Sequence, residues 1–190
     1  MRHQFLADRR RALEEAFFAK QDAKVIAQLR AEREKRLAIA ALKGASTIDD
    51  PELLEKLVDL GIDARSWTAL ALVPLIEVAW ADGTMEPKER EAIIAAAREH
   101  GVQDDSPGRQ LLENFLSVRP DPKVFAAWGA YVTELAANFS AEEREGMRAR
   151  LVERARKVAK SAGGFLGIAS ISDAEKRVIA ALEKPFAGLD

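Results

Sequence analysis

The stretch Trp67-Thr68-Ala69-Leu70-Ala71-Leu72-Val73-Pro74-Leu75-Ile76-Glu77-Val78-Ala79-Trp80-Ala81 decides how this chain folds. It is the longest apolar run in the sequence, interrupted by Thr68, Pro74 and Glu77. It is shorter than the roughly 20 residues a bilayer span needs. Read at 3.6 residues per turn, it is apolar on nearly every side. A helix of that kind belongs at the centre of a bundle, wrapped by other helices. The run therefore predicts an all-α protein with this helix as its most buried element.

Working outward, the flanks carry one helix start after another and almost no alternating strand pattern. Asp50-Pro51 opens a helix that ends at Gly61, and Asp63 opens the central one. Pro87 opens a helix ending at Gly101; Ser106-Pro107 and Asp121-Pro122 open two more. Ser140 starts a long helix to about Ala162, and Ser172 starts the last. In each case a short side-chain oxygen can accept from a free backbone N–H, and proline at the first position loses only a donor that has no partner. Ser140-Ala141-Glu142-Glu143 and Ser172-Asp173-Ala174-Glu175 are complete capping boxes. The start Glu86-Pro87-Lys88-Glu89-Arg90 has a related pattern, which fits either an internal duplication or three well-formed helix starts. Two apolar stripes mark core faces: Val124, Phe125, Trp128, Tyr131, Val132 and Leu135, then Met147, Leu151, Ala155 and Val158. The count is about seven helices in a bundle over residues 44–190.

Before them, Arg2 to Lys43 reads as one long helix without proline or glycine, ended by Gly44. Its apolar residues are sparse, and three pairs (Leu6/Phe17, Phe18/Leu29, Ile26/Leu37) stand eleven residues apart, close to three whole turns. The seam is too narrow for a core helix and suits lying along a partner. Leu13, Phe17, Phe18, Ile26 and Leu29 are its candidate contact residues. Residues 1–43 form an arm with eleven Lys/Arg against six Asp/Glu; the rest of the chain has eighteen against twenty-five. A basic arm thus precedes an acidic body, within a net charge of −2 over 190 residues. The arm fits a protein partner, or the acidic body of its own or a second copy. Nucleic acid is disfavoured because acidic residues are interspersed along the same helix.

Composition excludes several classes. Charged residues make up 32% and hydrophobic ones 48%, which fits a protein with a sizeable core and no membrane span. Arg9, Arg10 and Arg11 interrupt any secretory core at the N-terminus. There is no cysteine, so disulfides, thiolate metal sites and cysteine nucleophiles are absent. The expected location is cytoplasmic.

The residues nearest to chemistry lie in Glu77-Val78-Ala79-Trp80-Ala81-Asp82-Gly83-Thr84-Met85-Glu86-Pro87-Lys88-Glu89. A helix ends, Asp-Gly turns the chain, and a helix begins. From Asp82 onward this matches the second half of an EF-hand loop, but the first two acidic positions fall on Val78 and Trp80, which cannot ligate. A looser all-oxygen site from Glu77, Asp82, Glu86 and Glu89 would suit Ca²⁺, Mg²⁺ or Mn²⁺. Glu77 shares a helix face with Leu70, Val73 and Trp80, so its carboxylate needs a partner or a proton. It meets Asp82 only if the helix stops before that residue. The other reading of this segment is a structural turn with a partnered Glu77.

Other candidates are weaker. His3 and His100 lie far apart in sequence, and His100 occupies a last helical turn, where a cation suits the dipole. Gly163-Gly164 and Gly167 lack the strand and the Gly-Lys-Ser/Thr of a phosphate loop. The basic residues Arg148 to Lys160 follow Glu142, Glu143 and Glu145 on one helix, the order that the macrodipole favours.

The run from Leu72 through Gly101, with its Ala-Asp-Gly-x-Met-x-x-x-Glu turn, resembles the TerB-like family, named for a tellurite-resistance protein. Gly163-Gly164-Phe165-Leu166-Gly167 and Ile171-Ser172-Asp173-Ala174-Glu175 look like the matching close of such a domain. The resemblance covers roughly residues 51–186. It implies an all-helical bundle with an internal pseudo-repeat, bacterial, cytoplasmic and non-enzymatic, linked to stress and tellurite resistance and to metal-linked signalling. Asp82 and Glu89 match the family's acidic positions, with Glu77 beside them. The long basic arm departs from the family's minimal pattern. The expected function is non-catalytic binding of a protein partner and of a divalent cation. The alternative is a homo-oligomerisation module assembled through the arm, with no ligand.

Overall fold

A computed structural model describes residues 2–161 and 171–187, and within the first helix it describes the side chains of residues 17, 18 and 20–45. Among the described residues there are eight α-helices and no strand, so the protein is all-α. The chain divides into two compact units, Met1–Ala40 and Ala41–Asp190. The glycine-rich segment at 163–167 lies outside the described residues.

Helix α1 spans Arg2–Ala45. Gly44 does not end it: Ser46 donates from both its backbone N–H and its hydroxyl to the Leu42 carbonyl, carrying the turn past the glycine. Leu42 and Ile48 are fully buried and belong to the second unit's core.

The second unit continues with α2 (Pro51–Asp59), a 3-10 turn (Trp67–Leu72), α3 (Val73–Ala79), α4 (Pro87–Glu99) and α5 (Pro107–Ser117). Then come α6 (Pro122–Ala136), α7 (Ala141–Ser161), α8 (Asp173–Ala181) and a 3-10 turn at Lys184–Phe186. The caps explain the starts. Asp50 accepts from Glu52 N–H at 2.9 Å, Ser106 from Arg109 N–H at 3.1 Å, and Asp121 from Lys123 N–H at 2.8 Å. Ser140 with Glu143 and Ser172 with Glu175 form reciprocal boxes. Gly61 ends the α2 segment at φ 78°, a left-handed conformation that glycine adopts without a Cβ penalty.

Helix α3 sits at the centre and packs against α4, α6, α7 and α8. Six of its seven residues are buried, Glu77 being the exception. The expected single helix over Trp67–Ala81 is instead two pieces. Pro74 has no N–H to give to the Leu70 carbonyl, and its ring would crowd that carbonyl in a continuous α-helix. The chain therefore enters as a 3-10 turn through Leu72, where Val73 N–H reaches Leu70, and Pro74 takes the first turn of α3. Burial of the core is worth about 2 kcal/mol for each large aliphatic side chain, and Leu70, Leu72, Leu75 and Ile76 are all at most 2% exposed. Among the described residues no helix is long and apolar enough to cross a membrane.

Candidate functional site

The Asp82–Gly83 turn is built locally. Helix α3 stops at Ala79, Trp80 caps it, and the Trp80 indole N–H donates to the Phe115 carbonyl at 2.9 Å, pinning the turn to α5. Gly83 takes φ 95°, which lets the chain reverse. Asp82 Oδ1 accepts from both the backbone N–H and the hydroxyl of Thr84 at 3.0 Å, an Asx turn closed upon itself. Glu86 then caps α4, and its N–H donates to Glu89 Oε2 at 3.1 Å.

Glu89 is the unusual group. Its residue is 3% exposed, and its carboxyl is pushed up to about 7. Burial is the main cause; the Glu86 N–H bond works against it, and the nearby carboxylates Glu175, Asp82 and Glu86 add repulsion. Glu175 is itself 7% exposed and accepts from Ser172 N–H at 2.6 Å. The starts of α4 and α8 thus bring two buried capping glutamates within electrostatic reach. Two helix N-termini pointing at them make this tolerable.

Glu77 goes elsewhere. Its Oε1 accepts from Arg119 Nη2 at 2.8 Å, with its side chain 17% exposed. So it has the partner its apolar neighbours call for, and that partner stands 42 residues away. Among the described residues no group of three or more His, Asp or Glu is placed to hold a metal ion. Glu77, Asp82, Glu86 and Glu89 are all engaged in hydrogen bonds or helix caps of their own.

His100 is the C-cap of α4, but not as a cation. Burial and the adjacent Arg154 guanidinium hold its ring below the usual imidazole range, and Arg154 donates to Nε2. The neutral ring is an acceptor, which corrects the expectation of a charged histidine at this helix end. On α7, Arg148 bridges Glu145 and Glu183 at 2.6 and 2.7 Å.

On α1, Phe17, Phe18, Ile26 and Leu29 are 58, 63, 49 and 57% exposed. The Phe17 and Phe18 rings meet edge to face with centroids 5.9 Å apart. The Leu13 side chain lies outside the described residues.

Two participants escaped the sequence reading. Arg119 carries no local signal of its distant partner. Glu175 had one: the repeated capping pattern places it at the same helix position as Glu89. Comparison with protein-family models, with curated proteins and with solved structures finds no match to this chain.

Proposed function

We propose that this is a non-catalytic, TerB-like protein of the bacterial stress response, working in the cytoplasm by binding a protein partner through α1. One observation carries the reading. Of the seven large hydrophobic side chains that stand exposed among the described residues, six (Phe17, Phe18, Val25, Ile26, Leu29 and Leu37) are on that one helix. Phe18, Val25 and Leu29 recur at spacings of seven and four, so they share a face. Leaving such a seam in water forgoes its burial, and partner helices or grooves take seams of this kind. The eleven Lys/Arg of residues 1–43 favour a partner whose rim is acidic.

The test uses point variants of the full chain. A truncation at Gly44 would also remove Leu42, which is fully buried in the body. Affinity capture with the intact chain is compared with capture by a Phe18→Asp, Leu29→Asp double variant. The reading expects a stoichiometric protein held by the wild type and lost by the variant, with the melting temperature unchanged. Equal capture by both overturns it.

A second copy of the chain is the alternative partner, favoured by the excess of twenty-five Asp/Glu over eighteen Lys/Arg in residues 44–190. Light scattering separates the two: doubling of mass that the double variant abolishes assigns the seam to self-assembly. A hard divalent cation at the Asp82–Glu89 turn is the remaining part of the proposal. It is supported by the carboxylates around Glu89, whose repulsion a cation would relieve. The donor set is all oxygen and suits calcium, magnesium or manganese, while its placement does not: Asp82 and Glu86 would have to leave their own bonds to join Glu89.

A further inference from the structure

Helices α3, α6 and α7 and the C-terminal 3-10 turn leave a groove of about 370 Å³ on the body. Its apolar walls include Leu75, Trp128, Leu135, Met147, Leu151 and Phe186. Met147 and Leu151 lie one turn apart on α7, so both face the groove; along the same helix, Arg150 and Arg154 stand at its edge. His100 comes from the end of α4 and completes that edge.

Among the described residues no carboxylate neutralises the charge on this edge. Arg148, two residues before Arg150, is satisfied by Glu145 and Glu183. Arg154 instead donates to the neutral His100 ring, and among the described residues neither Arg150 nor Arg154 makes an ion pair with a carboxylate. No acidic residue lines the groove. The basic arm makes a poor occupant, because its own Lys and Arg would meet these two arginines.

A groove of several hundred Å³ with an apolar floor and a few convergent polar groups is the usual form of a small-ligand site. We propose that this one binds an amphipathic anion, a free aliphatic carboxylate, with its tail along Trp128, Met147 and Phe186 and its head at Arg150 and Arg154. The planar guanidinium groups match a carboxylate geometrically, and the pair adds orientation to what the floor contributes by burial. His100 takes one Arg154 N–H, from Nη1, and a guanidinium has others to offer a carboxylate.

The probe is decanoate, with decanol as the neutral chain of equal length, measured by titration calorimetry on the full protein. Saturable 1:1 binding of decanoate is expected, about tenfold or more tighter than decanol. Arg150→Ala with Arg154→Ala should remove that preference and leave decanol binding unchanged; Arg150 is exposed and Arg154 half-buried, so an unchanged melting temperature is the accompanying check that the fold is retained. Leu151→Trp, filling the groove, should abolish binding of both, with Met147→Trp as the second such variant if the first fails to fold. The proposal is overturned by absence of saturable decanoate binding up to solubility, by equal affinity for decanoate and decanol, or by decanoate binding that the double arginine variant leaves intact.

Discussion

Glu89→Gln isolates what the buried acid at the start of α4 does to stability. The folded protein raises this carboxyl from 4.5 to about 7, mainly by burial and then by repulsion from Glu175, Asp82 and Glu86. A proton is therefore held more tightly in the folded state than in the unfolded chain. The stabilisation is complete below about pH 4.5 and is lost as pH rises to about 7, beyond which the loss is constant. Converted at 1.36 kcal/mol per tenfold, the full swing is about 3 kcal/mol. Gln keeps an oxygen for the Glu86 N–H and stands in for the protonated acid, so it holds the neutral form's stability at both pH values. The variant should then exceed the wild type by about 2–3 kcal/mol near pH 8 and by no more than about 1 kcal/mol near pH 5. Urea unfolding at both pH values reads this directly. The carboxyls of Glu143, Glu145 and Asp173, held low by hydrogen bonds from Ser140, Arg148 and Lys176, lose their contribution only in more acidic solution; His100, held below the usual imidazole range, costs stability toward pH 5 in wild type and variant alike, so it cancels in their difference. A difference between variant and wild type that is the same at both pH values would refute the reasoning.

Glu77→Gln breaks the pair with Arg119, whose side chain is 46% exposed, so the loss by chemical denaturation should be only about 0.5–1 kcal/mol; a loss beyond about 3 would show a desolvated pair instead. Ile76→Ala empties a fully buried site on α3 and should cost about 2–5 kcal/mol in the same assay, a value under about 1 contradicting its central position. If a cation binds at the Asp82–Glu89 turn, about millimolar calcium, magnesium or manganese raises the melting temperature of the wild type and not of Asp82→Ala with Glu89→Ala; indifference of the wild type leaves the turn purely structural. Phe18→Asp with Leu29→Asp should leave the body's unfolding free energy within about 0.5 kcal/mol while abolishing association, and a larger loss would mean that the seam is core.

The helix starts were legible because capping is local chemistry. Asp50, Ser106, Asp121 and Ser172 each meet a backbone N–H two or three residues on, and the sequence displays both partners. The central place of α3 was legible from its apolarity on all sides. The break at Val73 was not, since the apolarity of the whole run outweighs the one residue in it, Pro74, whose missing donor decides the break. The site was read in its parts and not in its assembly. Glu77 needed a partner, but nothing near it names Arg119, and the proximity of Glu89 to Glu175 depends on how α4 and α8 pack. The same long-range packing turned His100 from a capping cation into a neutral acceptor for Arg154.

The seam on α1 is tested most directly by hydrogen exchange over residues 17–29, read by mass spectrometry in the purified chain and in the complex captured from cells. Protection of that segment in the complex, absent from the chain alone and from the Phe18→Asp, Leu29→Asp variant, is the result expected of a helix that works by docking. A captured partner that leaves the exchange of residues 17–29 unchanged would contradict it.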